Sequence, residues 1–213
     1  MSDIIEVKKK QKEILERLKR GSTYIGDTYT EYSIMLLLDV SESMSGKKIE
    51  DAKDALVQFI GSSNLPDNEV GLVAFGGGIH TCGLSRNSTR LKEEIKRLEP
   101  DDGKPMMTAI EATYKQFLTK KAHPVMVIAT DGQPNDASEE EIWEYASAIK
   151  KKDVRIITIG IGEDVNKSFL SKLASSPGDY HFAKASFELK RIYKEVADVL
   201  ALPSGEKNYS KER

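Results

Sequence analysis

The chain has 213 residues, 39% hydrophobic and 31% charged, which fits one α/β domain with extra segments at its ends better than two separate domains. With 34 acidic against 32 basic residues the formal charge is -2, so the overall balance gives no drive towards nucleic acid or an anionic membrane, and neither is expected as a partner. The longest apolar runs are strand-sized, the N-terminus lacks a signal peptide's apolar stretch, and the single cysteine, Cys82, excludes an internal disulfide; the expected setting is the cytosol.

Ile4, Val7, Gln11, Ile14 and Leu18 recur at steps of three and four, with Glu13/Arg17 and Glu16/Arg20 as i,i+4 pairs, so an amphipathic helix is expected from about Asp3 to Arg20. Lys8, Lys9, Lys10 and Lys12 form its solvated face. Gly21 stops it, and a polar connector leads to residue 31. The apolar run Ile34 to Leu38 reads as a buried strand ending on Asp39, and a helix carrying Ile49, Ala52, Leu56 and Phe59 follows it. Past a turn at Asn64 to Asn68, Val70–Phe75 reads as a second strand. Gly76–Gly78 then reverses the chain into a third, Ile79–Leu84, antiparallel to it at the sheet edge.

Ser88 or Thr89 is expected to cap a short helix through Leu98, and a further helix starts near Thr108 with Ile110, Tyr114, Phe117 and Leu118 facing inward. Val125–Thr130 is another buried strand and also ends on a carboxylate, Asp131. Ser138 with Glu141 makes a capping box for the helix through Ile149. Strand Val154–Ile159, a loop at Gly160–Gly162, helix Val165–Ala174, strand Tyr180–Ala183 and helix Phe187–Leu200 complete the alternation, and residues 203–213 read as a flexible tail. The expected fold is a doubly wound, Rossmann-like, mostly parallel six-stranded sheet with one short antiparallel edge strand and helices on both faces, over residues 32–202.

Asp39, Ser41 and Ser43 stand at alternate positions on the loop after the first strand, and Asp131 ends another strand. Ligands of such sheets bind at the carboxyl ends of strands. Two carboxylates and two hydroxyls are hard oxygen donors, which suit Mg²⁺ first, with Mn²⁺ or Ca²⁺ as alternatives, and not zinc or copper. Asp39-x-Ser41-x-Ser43, the isolated Thr108 after a glycine-containing turn, and Thr130-Asp131-Gly132 resemble the metal-ion-dependent adhesion site (MIDAS) of the von Willebrand factor A domain, in that family's order. The resemblance covers about Ile34 to Leu200. It implies that Ser41, Ser43 and Thr108 approach the metal directly and that Asp39 and Asp131 coordinate it directly or through water. It also implies a coordination position open for an Asp or Glu of a partner protein, and a scaffold role like that of intracellular bacterial and archaeal members.

Three features depart from that pattern. Glu42 replaces a glycine between the two serines and is expected to face solvent. A Lys104-Pro105-Met106-Met107 sequence stands before Thr108 where the family has a glycine pair, with Met106 and Met107 either an apolar rim or buried packing. Asp136 stands either behind a metal-bound water or at the cap of the next helix. Other chemistry is weak: His80 and Cys82 lack a second pair for zinc, and Gly76–Gly78 is not followed by the Gly-Lys-Ser/Thr of a phosphate loop. The expectation is a binding module and not an enzyme. The alternatives are a Mg²⁺-dependent phosphatase-like hydrolase, disfavoured because Ser41 stands where an acid/base aspartate would, and an interaction domain with a vestigial metal site that binds through its N-terminal helix.

Overall fold

The computed structural model describes residues 31–62, 68–120 and 122–200. The expected N-terminal helix, most of the Asn64–Asn68 turn and the tail lie outside them. Six strands form one sheet: β1 Tyr32–Asp39, β2 Glu69–Phe75, β3 Ile79–Ser85, β4 His123–Thr130, β5 Arg155–Ile161 and β6 Tyr180–Ala183. Their order is β3-β2-β1-β4-β5-β6, and every pairing is parallel except β2 with β3. The doubly wound sheet with one antiparallel edge strand is therefore the architecture found.

Among the described residues six α-helices cover it: α1 Lys47–Ile60, α2 Ser88–Lys96, α3 Met106–Phe117, α4 Glu139–Lys150, α5 Lys167–Leu173 and α6 Leu189–Leu200. All eight residues of β1 are buried, because the strand is central and its alternate side chains enter two different cores. Ile34, Leu36 and Leu38 join Leu56 and Phe59 of α1 and Tyr193 of α6, whereas Met35 and Leu37 join Ile110 of α3, Ile142 of α4 and Leu170 of α5. Each such aliphatic side chain contributes about 1.5–3 kcal/mol on burial. These two cores fix the strand ends that carry the polar loops.

Local signals held unevenly. Ser138 forms the expected capping box with Glu141. The cap of α2 is Asn87, whose side chain accepts from the amides of Thr89 and Arg90, and not Ser88 or Thr89. α3 begins at Met106, two residues before the expected start, and ends at Phe117, so Leu118 lies beyond its inward face and is 65% exposed. Gly160 and Ile161 extend β5 instead of forming a loop. Met106 is fully buried, which removes it from any surface rim, while Met107 is half-buried against the second core.

Strand order reverses between β1 and β4. Asp39 ends β1, and Asp131 directly follows β4. The crevice between the carboxyl ends of two adjacent parallel strands that run on to opposite sides of a sheet is where ligands of this architecture sit.

Candidate functional site

Asp39 is fully buried, and both of its carboxylate oxygens are engaged. Oδ1 accepts the amide of Ser41 at 2.8 Å, and Oδ2 accepts the hydroxyl of Thr130, the last residue of β4, at 2.5 Å. A short 3-10 turn, Glu42–Met44, follows. The Met44 amide closes it onto the Ser41 carbonyl, and the buried Met44 side chain anchors it in the core. The turn sets Ser41 Oγ 3.0 Å from Ser43 Oγ and leaves Glu42 exposed, facing solvent as expected.

Ser43 Oγ donates to Asp131 Oδ1 at 2.6 Å. With that proton directed to Asp131, Ser41 is the donor of the serine pair. Asp39, Ser41, Ser43 and Asp131, from two loops 88 residues apart in sequence between Ser43 and Asp131, thus form one hydrogen-bonded cluster.

A lysine lies at its centre. Lys104 Nζ donates to Asp131 Oδ1 at 2.6 Å and to Ser43 Oγ at 2.8 Å, and it stands 3.7 Å from Asp39 Oδ2. A second lysine, Lys48 of α1, donates to the other Asp131 oxygen at 2.7 Å. Burial pushes the Asp131 carboxyl up, but the bonds from Lys104, Lys48 and Ser43 outweigh it and hold the group below its usual value. Two buried carboxylates therefore face two ammonium groups, a formally neutral set.

The backbone aims Lys104 into this position. Its amide donates to Asn135 Oδ1 at 2.9 Å, and its carbonyl accepts the Asn135 amide at 3.1 Å. Gly103, at φ +99°, supplies the left-handed turn just before it. The side chain then crosses Gly132, where a Cβ would collide with the ammonium.

Thr108 is placed differently. Its amide and its hydroxyl both donate to Asp136 Oδ2 at 2.9 Å, and the Met107 amide donates to Asp136 Oδ1 at 3.1 Å. Asp136 therefore caps α3, the preceding helix, where an anion also meets the favourable end of the helix dipole, and not the next helix. The structure brings four of the five expected ligands together and ties the fifth, Thr108, to Asp136. Sequence reasoning missed Lys104, Lys48, Asn135 and the part played by the Thr130 hydroxyl. Only Thr130 carried a signal, as a hydroxyl directly before a strand-end aspartate.

The donor set fits a cation, since the chain's own ammonium stands among its oxygens. Among the described residues no group of three or more His, Cys, Asp or Glu is arranged to hold a metal. His80 faces Glu94 at 3.2 Å, and Cys82 is buried and unpaired. A cleft of about 460 Å³ is lined by Val40, the Gly76–Gly78 turn, Arg97 and Asp101, and Asp101 forms a parallel bridge with Ser41.

The von Willebrand factor type A domain profile matches residues 33–195. The chain belongs to that family. Inter-alpha-trypsin inhibitor heavy chain 4 of Mus musculus is 25% identical to this VWA chain over 195 residues, covering 79% of it and 20% of the relative. Heavy chain H3 of Rattus norvegicus is 25% identical over 191 residues, covering 79% and 21%. The VWA chain thus spans about a fifth of the length of the curated relatives it matches. Among solved structures, proximal thread matrix protein 1 of the mussel byssus, in a form with a zinc-occupied MIDAS motif, is 21% identical with a TM-score of 0.71, over 84% of this chain and 48% of that one. The von Willebrand factor domain of the pili tip protein Mfa5 of Porphyromonas gingivalis is 12% identical with a TM-score of 0.72, over 81% and 96%. At these identities the likeness establishes the fold. No helix among the described residues is long and apolar enough to cross a membrane.

Proposed function

We propose that this VWA domain is a cation-dependent protein-interaction module that binds an Asp or Glu of a partner protein and performs no catalysis. One observation carries the reading: side-chain oxygens of Asp39, Ser43 and Asp131 converge on a single cation, the Lys104 ammonium, with Ser41 Oγ bonded to Ser43 Oγ beside them, at the point where strand order reverses. Those four residues would hold a divalent ion, Mg²⁺ before Mn²⁺ or Ca²⁺. Thr108 Oγ1 directs its proton to Asp136 and keeps its lone pairs, with which it would join them. The ion would supply positive charge and an open coordination position for the partner's carboxylate. The adjoining 460 Å³ cleft gives the partner chain flanking that carboxylate a place to lie. The zinc-occupied MIDAS motif of the mussel protein supports a divalent ion at this position of the fold.

The hydrolase alternative needs an accessible strand-end nucleophile. Asp39 is fully buried with both oxygens hydrogen-bonded, which disfavours it. The single, buried Cys82 suits a reducing, cytosolic setting.

The test is thermal unfolding in EDTA and in millimolar MgCl₂ or MnCl₂. A ligand at a hundredfold excess over its Kd stabilises the native state by about 2.7 kcal/mol, and Asp131→Asn is expected to abolish the rise. A chain whose melting temperature is unmoved by Mg²⁺, Mn²⁺ and Ca²⁺, with or without Lys104, would refute the metal-bridged reading.

A further inference from the structure

We infer that Lys104 is a tethered cation that occupies the divalent-ion position in the resting protein and must leave before an ion enters, so that this one side chain sets the metal affinity of the site. The inference rests on the reading above and adds a regulating residue to it.

Three distances carry the argument. Lys104 Nζ makes its close contacts, 2.6 Å to Asp131, 2.8 Å to Ser43 and 3.7 Å to Asp39, with the same side chains that would ligate the ion. An ammonium bonded to those oxygens and a dication bonded to them exclude one another, by volume and by like charge. Together with the Lys48 ammonium it supplies what an ion would supply, namely charge neutralisation of two buried carboxylates, so the resting site needs no metal to be electrostatically satisfied.

The exchange is local. The two bonds to Asn135 hold the Lys104 backbone, which leaves the four-carbon stem as the moving part. Its path lies over Gly132, a position without a side chain to block it. The Lys104 side chain is 17% exposed, so solvent is within one rotamer change. Lys48 bonds to the opposite oxygen of Asp131 and stays in place. The displaced Lys104 ammonium then stands at the rim of the site, where it attracts the same acidic partner that the ion would bind.

The experiment is calorimetric titration of Mg²⁺ and Mn²⁺ into the full chain as wild type, Lys104→Met and Lys104→Arg. Circular dichroism and thermal unfolding serve as the folding control. Lys104→Met, which keeps the stem and removes the charge, is expected to bind at least tenfold more tightly than wild type, and Lys104→Arg to bind no more tightly. In the wild type, the ¹⁵N resonance of the Lys104 ammonium, protected by its bonds to Asp131 and Ser43, is expected to move to the position of a solvated lysine as Mg²⁺ saturates. Equal and measurable affinities of wild type and Lys104→Met would overturn the inference and leave the metal reading standing, as would an unmoved ammonium resonance at saturation. Absence of binding in all three proteins would overturn both.

Discussion

The Thr130 hydroxyl is the most exposing test of how the site is held. Thr130→Val keeps shape and removes one O–H, so Asp39 Oδ2 loses a 2.5 Å donor while both residues stay fully buried. A hydrogen bond to a charged group is worth about 1.5–3 kcal/mol. The Gly132 amide, 3.3 Å from the same hydroxyl, lies in a half-exposed loop where water replaces the lost acceptor at little cost. Lys104, 3.7 Å from Asp39 Oδ2, recovers part of the loss by moving closer. The expected destabilisation is about 2 kcal/mol, which for a domain of this size lowers Tm by roughly 4–8 °C. Urea unfolding in EDTA at neutral pH measures it, with an unchanged m-value as the mark of a pure stability effect. In an Asp39→Asn background the acceptor is neutral, the bond falls to about 1 kcal/mol, and the double-mutant cycle is expected to report coupling of about 1 kcal/mol. A Thr130→Val cost below about 0.5 kcal/mol, or an equal cost with Asn at position 39, would refute a charged, Thr130-dependent Asp39.

Gly71 lies where the β2–β3 register shifts, and an added Cβ there would meet the Met35 sulfur, the Cys82 carbonyl at 2.9 Å and the Leu84 amide at 3.0 Å. Two of these are backbone, so Gly71→Ala is expected to destabilise by about 1–3 kcal/mol in urea unfolding; a neutral substitution would mean that the edge strand yields freely. His181 of β6 has its pKa pushed below the ordinary 6.5 by burial, against the pull of Glu195 and Asp179 and with help from Arg191 and Arg155. The unfolded chain then takes the proton first, so this contribution to stability is complete above about pH 6.5 and is lost as pH falls towards the lower folded value. The drop in urea midpoint between pH 7.5 and 5.5 is expected to shrink in His181→Gln, and an unchanged drop would rule out the imidazole as its source.

The fold was legible where one physical cause dominated. β1 and β4 are buried on both faces, so they read as unbroken apolar runs, and the first carboxylates after those runs, Asp39 and Asp131, read as strand-end groups. The serines at alternate positions after Asp39 were legible as a spacing, and it is the 3-10 turn Glu42–Met44 that brings their hydroxyls together. The errors fall where neighbours compete or where the partner is remote. Asn87, Ser88 and Thr89 all have capping side chains, and the winner is decided by where the chain leaves β3. Asp136 lies beside the helix that follows it, yet it caps one that begins thirty residues earlier in sequence, at Met106, because the β4 loop folds back over α3.

Lys104 is the deepest instance. A lysine between Gly103 and Pro105, in a loop with Asp101 and Asp102 close by, carries the signature of a solvated surface charge. Its burial among Asp39, Ser43 and Asp131 depends on a backbone clamp from Asn135, thirty-one residues away, and on the missing side chain of Gly132. Neither is visible in a local window. The need itself was visible: two carboxylates at the ends of buried strands, surrounded by hydroxyls, require a cation. The residue types fix that requirement, whereas the tertiary arrangement decides whether the charge comes from solution or from the chain. On the inference drawn for Lys104 the two sources would compete for the same oxygens, and metal affinity would follow from the position of a lysine as much as from the ligands themselves.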